Sequence, residues 1–196
     1  MTRLANPKRW LRPVALTALL TLTACATVED TNTLAPVHLT PEDSVALPSF
    51  FIGKSFVKQQ LLNVTYGENT GSVLTVLEGE GSTLKLSVLS TLGIRLLDAL
   101  YSDGTLQVTR YLDIDRLPPV EQVLFDILLT LTSKEELSAV LPQGCSVQDT
   151  AAERVLLDEK GTPVERVTFR REGSERVATA IEHLLFNYRI TLEDLP

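Results

Sequence analysis

Cysteine and histidine are scarce in this chain: among 196 residues there are two of each, Cys25 and Cys145, His38 and His183. Four such residues scattered along the sequence give neither a disulfide framework nor metal-ligand spacing, so a disulfide-stapled scaffold and a zinc-type centre are excluded. The Gly-x-Ser-x-Gly elbow of many hydrolases is missing, and so is a glycine-rich phosphate loop. No apolar run reaches the roughly 20 residues that a membrane-crossing helix takes. Basic residues are also short, 18 against 25 acidic, for a net charge of −7. That balance argues against nucleic acid, which selects basic surfaces, and against electrostatic docking on anionic lipid.

What is present starts at the N-terminus. Arg3, Lys8, Arg9 and Arg12 precede an apolar centre from Val14 to Leu22, and the small pair Thr23-Ala24 follows, the pattern of a secretory signal. Leu22-Thr23-Ala24-Cys25 resembles the lipobox of bacterial lipoproteins. The resemblance implies cleavage before Cys25, acylation of its thiol and new amino group, and a lipid anchor in place of a span. Several acyl chains hold a protein on a bilayer far more firmly than one does. Ala26, where an Asp would favour retention at the inner membrane, implies the periplasmic face of the outer membrane. Residues 1–24 carry four basic and no acidic residues, so the remainder has a net charge of −11.

Residues 25–49, with Pro36, Pro41 and Pro48 and no sustained period, read as the acylated N-terminus and a flexible tether. His38 lies within it, on no rigid element from which a ligand role would follow. Residues 50–196 then suit one folded domain. Turn signals fall at 67–71, 78–82, 102–104, 158–161 and 171–174, each between strand-like segments. Strands are expected at about 54–66, 72–78, 83–90, 93–101, 105–113, 152–157, 164–171, 175–181 and 185–191. In 83–90, Leu84, Leu86 and Val88 alternate with Lys85 and Ser87, one dry face and one wet. The fold class is therefore mainly β (α+β): a curled antiparallel sheet or incomplete β-barrel.

Between Pro118 and Leu141 the period changes. The Pro118-Pro119 pair suits a helix start, Pro142 a stop, and Ser133 with Glu136 forms a capping-box pattern for a second helix. In the first helix Val120, Val123, Leu124, Ile127, Leu128 and Leu131 make an apolar face. Phe125 and Leu129 stack four residues apart on a side shared with Glu121, Gln122, Asp126, Thr130 and Thr132. This second apolar edge either belongs to a lid that meets lipid or packs under a loop or the second helix. Leu84, Leu86, Val88, Leu124, Phe125, Leu128 and Leu129 are the candidate ligand-lining residues.

Catalytic groups are few. His183, beside Glu182 on an expected strand, would need an activated nucleophile within hydrogen-bond reach to serve as a base. Cys145 would need a partner that lowers its pKa. Asp113 and Asp115 share a face of a strand, with Arg116 close by, and read best as a solvated strand end. The expectation is a protein that is not an enzyme and holds no cofactor or metal.

The segment LKLSVLSTLGIRLLDALYSDG (84–104), followed by LPPVEQVLFDILLTLTSKEELSAVLP, resembles the bacterial lipoproteins grouped as domain of unknown function 3261. Thr91-Leu92-Gly93 and Asp103-Gly104 match its strand-end motifs, and the proline-introduced apolar helix and short second helix follow in the same order, over roughly 50–190. The chain departs from the family at 130–133, where members often carry a tryptophan. The resemblance implies a fold similar to the LolA/LolB lipoprotein carriers, with two short helices as a lid over an apolar cavity. It also implies a lipid or lipid-linked cargo, of the aryl-polyene type among others, and a periplasmic carrier or envelope protein as partner. An assembly lipoprotein with a filled core is the alternative expectation.

Overall fold

Two-residue hairpin chemistry sets the pace of this chain. Asp103 and Gly104 both take positive φ, 50° and 79°, the combination that a tight turn matched to strand twist requires and that Asp-Gly tolerates. In the computed structural model, residues 27–29, 36–50, 52–112 and 118–196 are described. The strands are β1 (Thr27–Glu29), β2 (Val37–His38), β3 (Ser44–Val45), β4 (Ile52–Tyr66), β5 (Asn69–Gly81), β6 (Thr83–Ser90), β7 (Arg95–Ser102) and β8 (Thr105–Arg110). After helices α1 (Val120–Leu131) and α2 (Lys134–Val140) come β9 (Ser146–Asp149), β10 (Glu153–Leu157), β11 (Pro163–Glu172), β12 (Glu175–His183) and β13 (Tyr188–Asp194).

Strands β4 to β8 form one antiparallel meander and β9 to β13 another. They join where β13 returns to pair with β4, from Tyr188 opposite Tyr66 to Asp194 opposite Gln60. The resulting order is β1-β8-β7-β6-β5-β4-β13-β12-β11-β10-β9. The edge strands β1 and β9 do not pair with each other, so the sheet is not a closed barrel. It curls enough that β4 to β7 and β12 and β13 line one cavity together with α1. The expected mainly-β fold with an antiparallel sheet and two short helices is what the chain adopts.

Both helices have sequence-level causes. Pro119 stands at the N-cap of α1, where a fixed φ costs nothing. At α2, the Ser133 amide donates to Glu136 Oε2 (2.8 Å) and the Glu136 amide to Ser133 Oγ (3.2 Å), a complete capping box. The Ser133 hydroxyl, which donates to Glu136 Oε2 (2.6 Å), and then the Ser133 amide hold the Glu136 carboxyl below its usual pKa.

The core sits between the sheet and α1. Leu124, Phe125, Leu128 and Leu129 of α1 are each at most 1% exposed, and each fully buried side chain of this size is worth about 1.5–3 kcal/mol. The second apolar edge of the helix, Phe125 and Leu129, is thus packed inside and touches no solvent. A sequence-level one-sided helix is here buried nearly all round.

Residues 36–49, which the sequence places in the tether, are packed as well. The β2–β3 hairpin buries Val37, Leu39, Val45 and Leu47. Tyr101 of β7 donates its hydroxyl hydrogen to the Leu47 carbonyl (3.0 Å), and Phe50 stacks on the same ring at 5.7 Å. Prolines 36, 41 and 48 break any long period, so the two-residue strands leave no periodic signal.

Candidate functional site

A further apolar face of α1 looks into a cavity at the edge of the core. Val120, Val123 and Ile127, spaced three and four residues apart and so on one side of the helix, face Leu62 and Val64 of β4, Leu86 and Val88 of β6, and Ile190 of β13. The free volume is about 70 Å³, more than single waters need but less than a whole acyl chain would fill. Its lining is almost wholly apolar. Of its polar members, Gln60 donates to Asp194 Oδ1 (2.6 Å), Thr75 donates to the Gln60 carbonyl (3.4 Å), and the third is Asp126.

The cavity adjoins a wider groove of about 630 Å³ at the end of the sheet where α1 begins. Val64 and Pro118 belong to both, and His38, Tyr66, Asn69, Phe186 and Tyr188 complete the groove. Together they form a hollow that is narrow under the helix and open at one end.

A buried polar cluster divides the two. Asp126 of α1 accepts the Tyr188 hydroxyl hydrogen at 2.8 and 2.9 Å, and the Gln122 amide at 3.3 Å. Glu165 of β11 lies against Asp126, and both carboxyls are 1% exposed. Neither Glu165 oxygen has a hydrogen-bond partner among the described residues, and two buried carboxylates side by side disfavour both being charged. Burial raises the Asp126 pKa to about 7 against the pull of its donors. Burial and the neighbouring Asp126 charge push Glu165 well above the carboxylate range. Tyr188 is raised too, by burial first and then by the two carboxyls.

His183 sits opposite Glu165 in the β11–β12 register and is fully buried. Its Nδ1 accepts the Phe186 amide hydrogen (3.2 Å), and the ring stacks on Phe186 at 4.3 Å. Burial lowers its pKa to about 4, with the His38 backbone opposing the shift. The imidazole is held neutral and in place, with its Nδ1 lone pair already used.

At the far end of α1, Arg154 of β10 reaches under the helix C-terminus. Its Nη1 donates to the carbonyls of Leu129 (2.8 Å) and Thr132 (2.7 Å), while Nε and Nη2 both bind Asp149 Oδ2 (3.2 and 2.6 Å). The last turn of α1 contains no basic residue, so Arg154 supplies the positive charge that a helix C-terminus favours. Burial raises the Asp149 pKa, but hydrogen bonds and charge from Arg176 and Arg154 outweigh it and the net shift is down.

Of the sequence-predicted lining residues, Leu86 and Val88 face the cavity. Leu84, Leu124, Phe125, Leu128 and Leu129 fill the core beside it. Cys145 is a half-buried free thiol whose pKa is raised by burial and by the charges of Asp43, Asp158 and Glu159, the reverse of an activated nucleophile. Leu22, Thr23, Ala24 and Cys25, and Asp113 and Asp115, lie outside the described residues. Sequence reasoning missed Asp126 and Glu165. The parity of β11 puts Glu165 on the same side as the inward Val167 and Phe169, and that was the available signal.

Among the described residues no group of three or more His, Cys, Asp or Glu side chains is placed to hold a metal ion. No helix among them is long and apolar enough to cross a membrane. No curated protein matches the chain. A family's sequence pattern does match, over residues 57–196, and the chain belongs to that family, described as Protein of unknown function (DUF3261).

Proposed function

We propose that this protein is a lipoprotein of the outer membrane, anchored through acylated Cys25 and facing the periplasm, that receives a lipid or lipid-linked product in a half-barrel similar to the LolA/LolB carriers. The observation that carries the reading is the cavity under α1: its walls are apolar, and its few polar groups already hold hydrogen-bond partners. Such a site takes hydrocarbon and offers little to a sugar or nucleotide. On this reading it does no covalent chemistry; the buried imidazole of His183 lines neither the cavity nor the groove, and its Nδ1 is taken by the Phe186 amide. At about 70 Å³ the narrow part of the hollow under the helix admits the end of one chain as it stands. Further entry requires the first half of α1 to lift away from β4 and β6, about the second half that Arg154 pins.

The small volume also favours a second reading, an assembly lipoprotein whose interior is filled and whose work is done by protein contacts. The two separate on binding of a fluorescent polyene fatty acid, parinaric acid. The carrier reading expects saturable binding that Val123→Phe abolishes by filling the hollow, with the fold retained. The assembly reading expects no saturable binding in either protein.

A further inference from the structure

Among the described residues most exposed large apolar side chains are gathered at one end of the sheet, while Val57, Leu100 and Leu195 lie toward the other. Leu92 and Ile94 occupy the β6–β7 turn, Tyr111 and Leu112 follow β8, and Leu184 and Leu185 occupy the β12–β13 turn. Leu92 is 85% exposed. In an antiparallel meander, alternate turns share an end, so these three segments lie on the side where β4 ends and β13 begins. There the Gly67 amide donates to the Asn187 carbonyl (3.3 Å), tying the β4–β5 turn to the β12–β13 turn. This is also the end at which the groove opens, between Tyr66, Asn69, Phe186 and Tyr188.

The two ends differ in charge. The segments 91–94 and 184–187 contain no charged residue, while the other two turns on this side carry Glu68 and, as a mixed set, Asp158, Glu159 and Lys160. The opposite end exposes six acidic residues, Glu80, Asp103, Glu172, Glu175, Glu193 and Asp194, against the basic Lys54, Arg170 and Arg171, with Glu172 paired to Arg170. Near anionic headgroups the acidic end is repelled, whereas leucine and isoleucine turns lose exposed apolar surface by entering the interface.

The N-terminal edge fixes which end an anchor would serve. Strand β1 runs antiparallel to β8 with Thr27 opposite Arg110, at the apolar end. Cys25 precedes Thr27 by two residues, a reach of about 7 Å. We infer that this end docks on the phospholipid bilayer, so that the groove and the hollow behind it open toward the membrane. The leash rests on the anchored reading given above, while the apolar turns stand without it. A surface that one leucine turn would hold only weakly becomes occupied when an anchor keeps it at high effective concentration.

Tryptophan placement tests this. The sole Trp, Trp10, precedes Cys25, so a Trp10→Phe background leaves one reporter at a time: Leu92→Trp at the apolar end, or Leu195→Trp at the acidic end. Each full-length protein is reconstituted in phosphatidylethanolamine/phosphatidylglycerol vesicles with brominated acyl chains. Docking predicts a blue shift and at least about twofold quenching for Leu92→Trp, at the shallow depth expected of an interfacial contact, and neither for Leu195→Trp. Failure to float with the vesicles reports on the acyl anchor alone. In that case the same proteins are mixed with excess vesicles and read in the same way. Equal quenching at both positions, or none at Leu92 in either preparation, overturns the inference. A concentration-dependent blue shift without lipid also overturns it, since a second copy of the chain would then cover the turn.

Discussion

Tyr188 on β13 donates its hydroxyl hydrogen to Asp126 on α1, 2.8 Å from Oδ2 and 2.9 Å from Oδ1. The bond links the helix to the strand that joins the two meanders, beside a second buried carboxyl on β11. One polar contact thereby connects the helix over the hollow to the β9–β13 half of the sheet, at the strand that pairs with β4. Tyr188→Phe leaves Asp126 buried with Gln122 as its remaining donor among the described side chains outside the carboxyl pair. A loss of about 1–3 kcal/mol is expected from such a deletion, read as a lower urea midpoint with unchanged m-value. An unchanged midpoint would mean that the hydroxyl contributes nothing net.

The carboxyl pair makes stability depend on pH. Asp126 has a pKa of about 7 when folded and an ordinary value of 3.8. The folded chain therefore keeps a proton that the unfolded chain releases, and stability falls as pH rises from about 4 to about 7. His183, lowered to about 4 from 6.5, has the opposite sign: its contribution grows from pH 4 to 6.5. The carboxyl effect is therefore read as the difference between wild type and Asp126→Asn, which should decline with pH by at most about 1.4 kcal/mol per unit. A flat difference would mean that Asp126 is ionised in the folded protein.

Arg154 has four donor contacts, one to an α1 carbonyl, one to that of the C-cap residue Thr132 and two to Asp149. Arg154→Met removes all of them and leaves Asp149 with Arg176 as its ion partner. Breaking a buried pair in this way costs about 3–5 kcal/mol. Arg154→Lys should recover little, because an ammonium cannot reproduce the guanidinium fork. Thermal unfolding of both variants checks the claim; near-complete rescue by lysine would show that charge alone matters there.

Leu129→Glu places a carboxylate at a side chain 1% exposed. The protein is expected to lose its fold, read as lost near-ultraviolet dichroism and rapid proteolysis, because a buried charge without a partner is among the costliest substitutions. A folded variant that merely binds less lipid would instead restore Leu129 to a lid edge.

The meander was legible because its punctuation is local. Asp103-Gly104 encodes a turn by backbone sterics, and Ser133 with Glu136 encodes a helix start by two hydrogen bonds; both stand where the sequence places them. Strand β6 shows its alternation openly and has the expected bounds, Thr83–Ser90. What escaped depends on contacts distant in sequence. Gln122 and Asp126 read as a solvent face until Tyr188, 62 residues after Asp126, supplies a buried donor. Glu165 reads as surface for its charge, although its parity with Val167 points inward. The β2–β3 hairpin and β9 are too short to declare a period, and their burial comes from α1 and α2 lying across them. The same tertiary packing moved Phe125 and Leu129 from a candidate lid edge into the core.

The most direct test of the central claim is native mass spectrometry of the protein taken from its own envelope without detergent, compared with Val123→Phe prepared in the same way. The account predicts a one-to-one lipid adduct on the wild-type protein, extractable into organic solvent, and its absence from the variant at equal folded yield. A bare wild-type mass, or an adduct that Val123→Phe leaves in place, would contradict the claim that the hollow beneath α1 is where a lipid is received.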